Sequence, residues 1–151
     1  MSAGAELPHV DEHSLVIAAD RGTTWEALSR VVDASFSAGA VPPVARLLGC
    51  ADTAVSGPRP LEAGSTVPGF QVATADTPAE LALVGRHRFS GYALIFRLDE
   101  LDRGRTRVQA ETRADFPGLK GEVYKTLVIR TRMHVLVTRR ILGAAKRRAE
   151  R

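Results

Sequence analysis

A single cysteine, Cys50, in 151 residues leaves no partner for an internal disulfide. The small secreted scaffolds that depend on such bridges are thereby excluded, and a reducing, cytoplasmic setting is expected. Apolar runs fall far short of the roughly 20 residues that a bilayer-spanning helix needs. The opening MSAGAELPHVDEH has neither the basic start nor the apolar stretch of a secretory signal. Aromatic residues make up only 5% of the chain, too few for the stacking platforms of single-stranded nucleic-acid binders. The four histidines, His9, His13, His87 and His134, match no metal-ligand spacing such as HExxH, and no paired CxxC exists. A Gly-x-Ser-x-Gly elbow and the glycine motifs that cradle phosphates are also missing, so no metal and no cofactor is expected. Gly118-Leu-Lys-Gly121 spells a nucleotide-clamping GxxG, but it follows a strand and Pro117 instead of joining two helices.

What the chain does have is 44% hydrophobic and 25% charged residues, enough for one domain over 1–151 that buries roughly 70% of its unfolded surface. Its net charge of +4 is local. Arg139, Arg140, Lys146, Arg147, Arg148 and Arg151 face only Glu150, and the preceding residues carry −1. Residues 146–151 therefore read as a solvated basic helix end that complements the helix dipole and is dispensable for folding. Weak contact with an anionic membrane is the alternative for this tail; nucleic acid is disfavoured. Residues 1–10 read as a flexible N-terminus.

Leu15 to Ala19 predict a first strand, and the break at Asp20 to Thr24 offers Thr23 or Thr24 as a helix cap. Trp25, Leu28, Val31 and Val32 then recur at helical spacing. Pro42 and Pro43 open a second short helix that ends at Gly49, and three prolines and two glycines make 51–68 a loop or irregular edge strand.

Beyond Phe70 the pattern alternates. Phe70, Val72 and Thr74 share one face with Leu81, Leu83, Gly85, His87 and Phe89, then Tyr92, Leu94, Phe96 and Leu98, then Val108, Ala110, Thr112, Ala114 and Phe116. A two-residue turn at Ser90-Gly91 predicts His87 opposite Leu94 and Gly85 opposite Phe96. A three-residue turn at 102–104, with Gly104 left-handed, predicts Leu98 opposite Val108 and Leu94 opposite Thr112. A slip by one residue would bury Arg107, Glu111 and Arg113. Glu111 and Asp115 lie on the outer face, which reads as a solvated ion-pair surface, and outward Arg97 reads as silent on substitution. From about Lys120 to about Ala149 one long helix is predicted, with Tyr124, Leu127, Thr131, Val135, Thr138, Leu142 and Ala145 on a stripe facing the sheet.

This order of elements resembles the helix-grip fold. The strand Ser14-Leu-Val-Ile-Ala-Ala19, the helix start Thr24-Trp25-Glu-Ala-Leu28, the meander Gly85-Arg-His-Arg-Phe-Ser-Gly-Tyr-Ala-Leu-Ile-Phe96, and Gly121-Glu-Val-Tyr124 with Met133-His134 are similar to a poorly characterised branch of the START-like, polyketide cyclase/dehydrase and lipid-transport (SRPBCC) superfamily. The resemblance implies an α+β domain whose curved antiparallel sheet wraps a long C-terminal helix, with a cavity between them. It also implies functions as varied as lipid carriage, cyclisation and co-chaperoning.

Polar residues predicted to point inward are candidates for the lining of such a cavity: His87, Tyr92 and Thr112 from the sheet, and Tyr124, Thr131, His134 and Thr138 from the helix. Unbonded, each would cost on the order of 1–3 kcal/mol, so they pair with one another or face a wet, ligand-sized space. Each also has an ordinary alternative. The histidines can be satisfied core residues, the tyrosines can place their hydroxyls at the domain edge, and the threonines can bond back to their own helix. Three functions stay open. The chain binds a hydrophobic small molecule (lipid, polyketide-like or aromatic), or it is a cyclase/dehydratase using His87 or His134 as general acid/base, or it is a ligand-free interaction module. No inward carboxylate is evident to orient either histidine.

Overall fold

The computed structural model describes residues 6–39 and 41–151, without the side chains of Ile129, Arg130, Thr131 and Met133. The elements in order are β1 (His9–Ile17), α1 (Arg21–Ser37), α2 (Val41–Leu48), β2 (Thr66–Val67), β3 (Phe70–Asp76), β4 (Glu80–Arg86), β5 (Gly91–Glu100), β6 (Thr106–Asp115), α3 (Gly118–Thr131) and α4 (Met133–Ala149). The strands form one antiparallel sheet in the order β1-β6-β5-β4-β3-β2.

The alternating face is the core face. Val72, Leu81, Leu83, Leu94, Phe96, Leu98, Val108 and Ala110 are buried in one cluster with Trp25, Leu28, Val32 and Phe36 of α1 and with Ile141, Leu142 and Ala145 of α4. The cap of α1 is Asp20, whose Oδ1 accepts from the Thr23 N–H at 2.7 Å. The predicted cap Thr24 is instead fully buried.

The β5–β6 hairpin has the predicted register, with Leu98 opposite Val108, Leu94 opposite Thr112, and Gly104 at φ 66°. The β4–β5 hairpin differs. Gly85 pairs with Tyr92 and Leu83 with Leu94, so the strand is displaced by four residues and His87 leaves the ladder for the turn. The turn closes at residues 87–90, where the His87 N–H donates to the Ser90 carbonyl at 3.0 Å and the Phe89 N–H donates to His87 Nδ1 at 3.1 Å, while the far end of the turn is tied to β6. Ser90 Oγ donates to the Asp115 carbonyl at 2.7 Å, and the Gly91 N–H donates to Asp115 Oδ1 at 2.9 Å. A shift by an even number leaves every side chain on its expected face.

β1 starts earlier than its apolar run, at His9. Residues 7–9 are tied to β6: Arg113 Nη1 donates to the Leu7 carbonyl at 2.8 Å, the Ala114 N–H to the Pro8 carbonyl at 3.0 Å, and His9 Nδ1 lies 2.7 Å from Glu111 Oε2. That end of the predicted flexible segment is thus part of the sheet; residues 1–5 lie outside the described residues. Glu111 is likewise not solvated. It is 5% exposed and held by Arg97 at 3.0 Å, Arg113 at 2.9 Å and His9.

The single C-terminal helix is broken at Arg132, whose φ of 51° is left-handed and whose N–H donates to the Val128 carbonyl. Neither glycine nor proline marks the break; the two halves pack differently. α4 lies on α1 and β1, burying Thr138, Ile141, Leu142, Ala145 and Ala149. On α3, Leu119, Val123 and the stripe residue Leu127 face solvent.

The basic end of α4 is also built into the fold. Glu150 Oε2 accepts from the Ala18 N–H at 2.8 Å and from Lys146 Nζ at 2.6 Å, and Lys146 donates to the Val16 carbonyl at 3.2 Å. Truncation after Lys146 removes Ala149 and this clasp between α4 and the end of β1. It is expected to lower the melting temperature by several degrees, against none for the dispensable tail expected from the sequence. Thermal melts of the truncated and full chains decide between the two.

Candidate functional site

A cavity of about 670 Å³ lies between the core face of the sheet, α2 and the α3–α4 pair. Its walls are mainly apolar: Phe36, Val41, Val44, Ala45 and Leu48 from the first helices, Phe70, Leu94, Ala114 and Phe116 from the sheet side, and Val128, Val137 and Ile141 from the last helices. His87, Tyr92, Thr112, Tyr124, His134 and Thr138 all line it. The seventh candidate, Thr131, has its side chain outside the described residues.

These residues do different things. His87 sits in the β4–β5 turn, where its Nδ1 accepts the Phe89 N–H at 3.1 Å. An accepting Nδ1 carries no proton, so the neutral ring holds its proton on Nε2, 3.2 Å from the Tyr124 hydroxyl. Burial pushes the His87 pKa down, which favours this neutral form. Nε2–H therefore donates to Tyr124, and Tyr124 keeps its own O–H for another acceptor. Burial raises the Tyr124 hydroxyl as well, so it stays a donor. Its ring is fixed by a T-shaped contact with His87 at 4.9 Å and by stacking on Phe89 at 5.6 Å.

Tyr92 is a clasp. Its hydroxyl donates to the Gly69 carbonyl at 2.6 Å and lies 3.6 Å from Cys50 Sγ, joining β5 to the β2–β3 turn. Burial, then the bond with Cys50, pushes its pKa far up. The ring crosses Gly85, where a Cβ would collide with both it and the Gly69 backbone. Gly85 is thus required beside Tyr92, not opposite Phe96. Thr138 Oγ1 donates to the His134 carbonyl at 2.7 Å, an ordinary bond within the helix. Thr112 lines the wall from β6, opposite Leu94.

His134, in the first turn of α4, meets a carboxylate after all. Its Nε2 lies 2.8 Å from Asp11 Oδ2, and His13 Nε2 lies 3.4 Å from the same oxygen. Reading β1 from Leu15 left residues 9–14 on no face. Extending the parity of Leu15 and Ile17 backwards puts His13 and Asp11 inward, opposite Ala110 and Thr112, and was the available signal. The contribution of α2 to the wall had no such signal. Among the described residues, no three His, Cys, Asp or Glu side chains converge to hold a metal, and no helix is long and apolar enough to cross a membrane.

Neither a protein-family model nor a curated protein sequence matches the chain. Solved structures do match over nearly its whole length. Truncated norcoclaurine synthase from Thalictrum flavum aligns with 93% of this chain and 93% of its own at 12% identity, with a TM-score of 0.55. The Zhui aromatase/cyclase from a Streptomyces species aligns with 97% of this chain and 95% of its own at 16% identity and a TM-score of 0.53. The chain has the helix-grip fold. Ara h 8.0201 shares it as well, at 9% identity, a TM-score of 0.52 and coverage of 92% and 95%. In this helix-grip chain α4 is the gripped element, and the cavity opens beside it, where α3 turns away at Arg132.

Proposed function

We propose that this helix-grip domain binds an apolar or amphipathic small molecule, such as a lipid, a polyketide-like compound or another aromatic, in the cavity beside α4. The observation that carries the reading is an apolar space of about 670 Å³ into which Tyr124 presents an O–H that its bond with His87 leaves unspent. Apolar walls with a few convergent polar groups are the usual make-up of a small-molecule site. An acid–base role for His87 is disfavoured, because Nδ1 is occupied by the Phe89 N–H and Nε2 by Tyr124. The cyclase/dehydratase reading therefore narrows to His134, the histidine that Asp11 orients.

Ala114→Trp tests the binding reading. Ala114 is buried on β6 and lines the cavity. A true cavity takes the indole at modest cost and loses binding of 8-anilinonaphthalene sulfonate by about tenfold or more. A close-packed wall would instead suffer overpacking of about 1–3 kcal/mol. Wild-type protein that binds no dye and carries no small molecule in native mass spectrometry, with a Trp variant that melts far lower, would exclude a cavity ligand.

A further inference from the structure

We infer that the cavity takes an amphipathic carboxylate, with the acidic head held at the mouth by Arg140 and the apolar tail inside. The inference rests on the binding reading above and names the chemistry of its ligand. Among the described lining residues, Ser35 of α1, Val44 of α2, and Val137 and Arg140 of α4 are exposed, while the others are buried or half-buried. The mouth therefore lies between α4 and the corner where α1 passes to α2, and Arg140 stands on its rim. Val137, Arg140 and Ile141 share one face of α4 at helical spacing, and all three line the cavity. An arginine in such a place lays its stem along the apolar wall and keeps its guanidinium at the water.

The charges around the cavity single this residue out. Among the described lining residues Arg140 is the only permanent cation, and there is no aspartate or glutamate. Burial keeps His87 neutral, and a charge on His134 would be balanced by Asp11 at 2.8 Å. The arginines held by carboxylates are Arg59 by Asp33, Arg97 by Glu80 and Glu111, and Arg113 by Glu111. Arg140 has no such partner among the described residues. An apolar tail gains by entering the chamber, whereas a charged head would forfeit its hydration there. The head therefore stops at the mouth, where the guanidinium fork matches a carboxylate with two parallel hydrogen bonds. A phosphate monoester would bring nearly two negative charges to a rim with one cation. A cationic head would be repelled, and an alcohol would gain nothing from the charge.

The test is displacement of N-phenyl-1-naphthylamine, a neutral dye, by decanoic acid, 1-decanol and decyl phosphate at neutral pH. It is run on the wild-type chain, on Arg140→Gln, and on Arg139→Gln as the control, since Arg139 is exposed on the same helix but does not line the cavity. Both positions are exposed, so both variants are expected to fold, and thermal melts check this. In the wild-type chain decanoate is expected to bind about fivefold more tightly than decanol, the size of effect that a solvent-facing ion pair gives. The preference should vanish in Arg140→Gln, persist in Arg139→Gln, and shrink in about 0.5 M sodium chloride, where screening is strong. A preference that survives in Arg140→Gln, or decanol bound as tightly as decanoate by the wild-type chain, would overturn the inference and leave the binding reading intact. Equal losses in the two variants would assign the effect to the general field of α4 and overturn it too. Decyl phosphate bound more tightly than decanoate would overturn the choice of carboxylate. A dye that does not bind the wild-type chain, or that none of the three compounds displaces, would overturn the binding reading and this inference with it.

Discussion

Phe96→Arg is expected to yield no folded protein. Phe96 is fully buried at the centre of β5, between Leu81 on β4 and Ala110 on β6. Removing the ring costs about 3–5 kcal/mol in a core of this kind. A guanidinium in its place adds a buried charge with no carboxylate on that face of the neighbouring pairs, several kcal/mol more. Together these are comparable to the whole stability of a small domain, about 5–15 kcal/mol. The matching control is Arg107→Ala. Arg107 is exposed on the opposite face of β6, across from Asp99, and its loss should stay within about 0.5 kcal/mol. Arg97, which alternation alone reads as silent, would be a poor control because it holds Glu111 and Glu80. Far-ultraviolet circular dichroism with thermal melts reads both variants. Similar melting points for Phe96→Arg and Arg107→Ala would mean that the two faces of the sheet are wrongly assigned.

The faces were legible in the sequence because alternation has period 2 and survives any even displacement. The β4–β5 turn was not, because it closes through His87, whose N–H donates to the Ser90 carbonyl and whose Nδ1 accepts the Phe89 N–H, and such a side-chain cap leaves the alternation on either side unchanged. His87 consequently reached the cavity as a turn residue whose Nδ1 caps a local N–H, not as a ladder residue opposite Leu94. The polar start of β1 hid for a related reason. His9 to Ser14 lack apolar alternation, and ion pairs to Glu111 and His134 hold them where burial of large apolar side chains would hold a typical strand. Asp11 was lost with them, so the site looked like two unsupported histidines. The break at Arg132 left no local mark, since only packing separates α3 from α4.

The same network predicts how the protein meets acid. Burial alone would push the Glu111 carboxyl up, but hydrogen bonds from His9, Arg97 and Arg113 outweigh it and hold its pKa at about 2, below the usual 4.5. A depressed carboxylate pKa contributes stability that is fully present above the unfolded value and is lost as pH falls through the folded one. The window is therefore pH 4.5 down to about 2. Arg97 and Arg113 are partly open to water, with 36% and 24% of their side chains exposed, and solvent screening discounts the effect to about 2 kcal/mol. Glu111→Ala should lose about that much at neutral pH, because Arg97, Arg113 and His9 remain around a site without its anion. It should also flatten the acid limb of the stability curve. Urea unfolding at pH 7 and at pH 3 measures both. The gap between wild type and variant is expected to be widest at pH 7 and smaller at pH 3. A variant as stable as wild type at pH 7 would mean that this carboxylate gains nothing from its three partners. A gap that widens on acidification would mean that burial, not pairing, controls its proton.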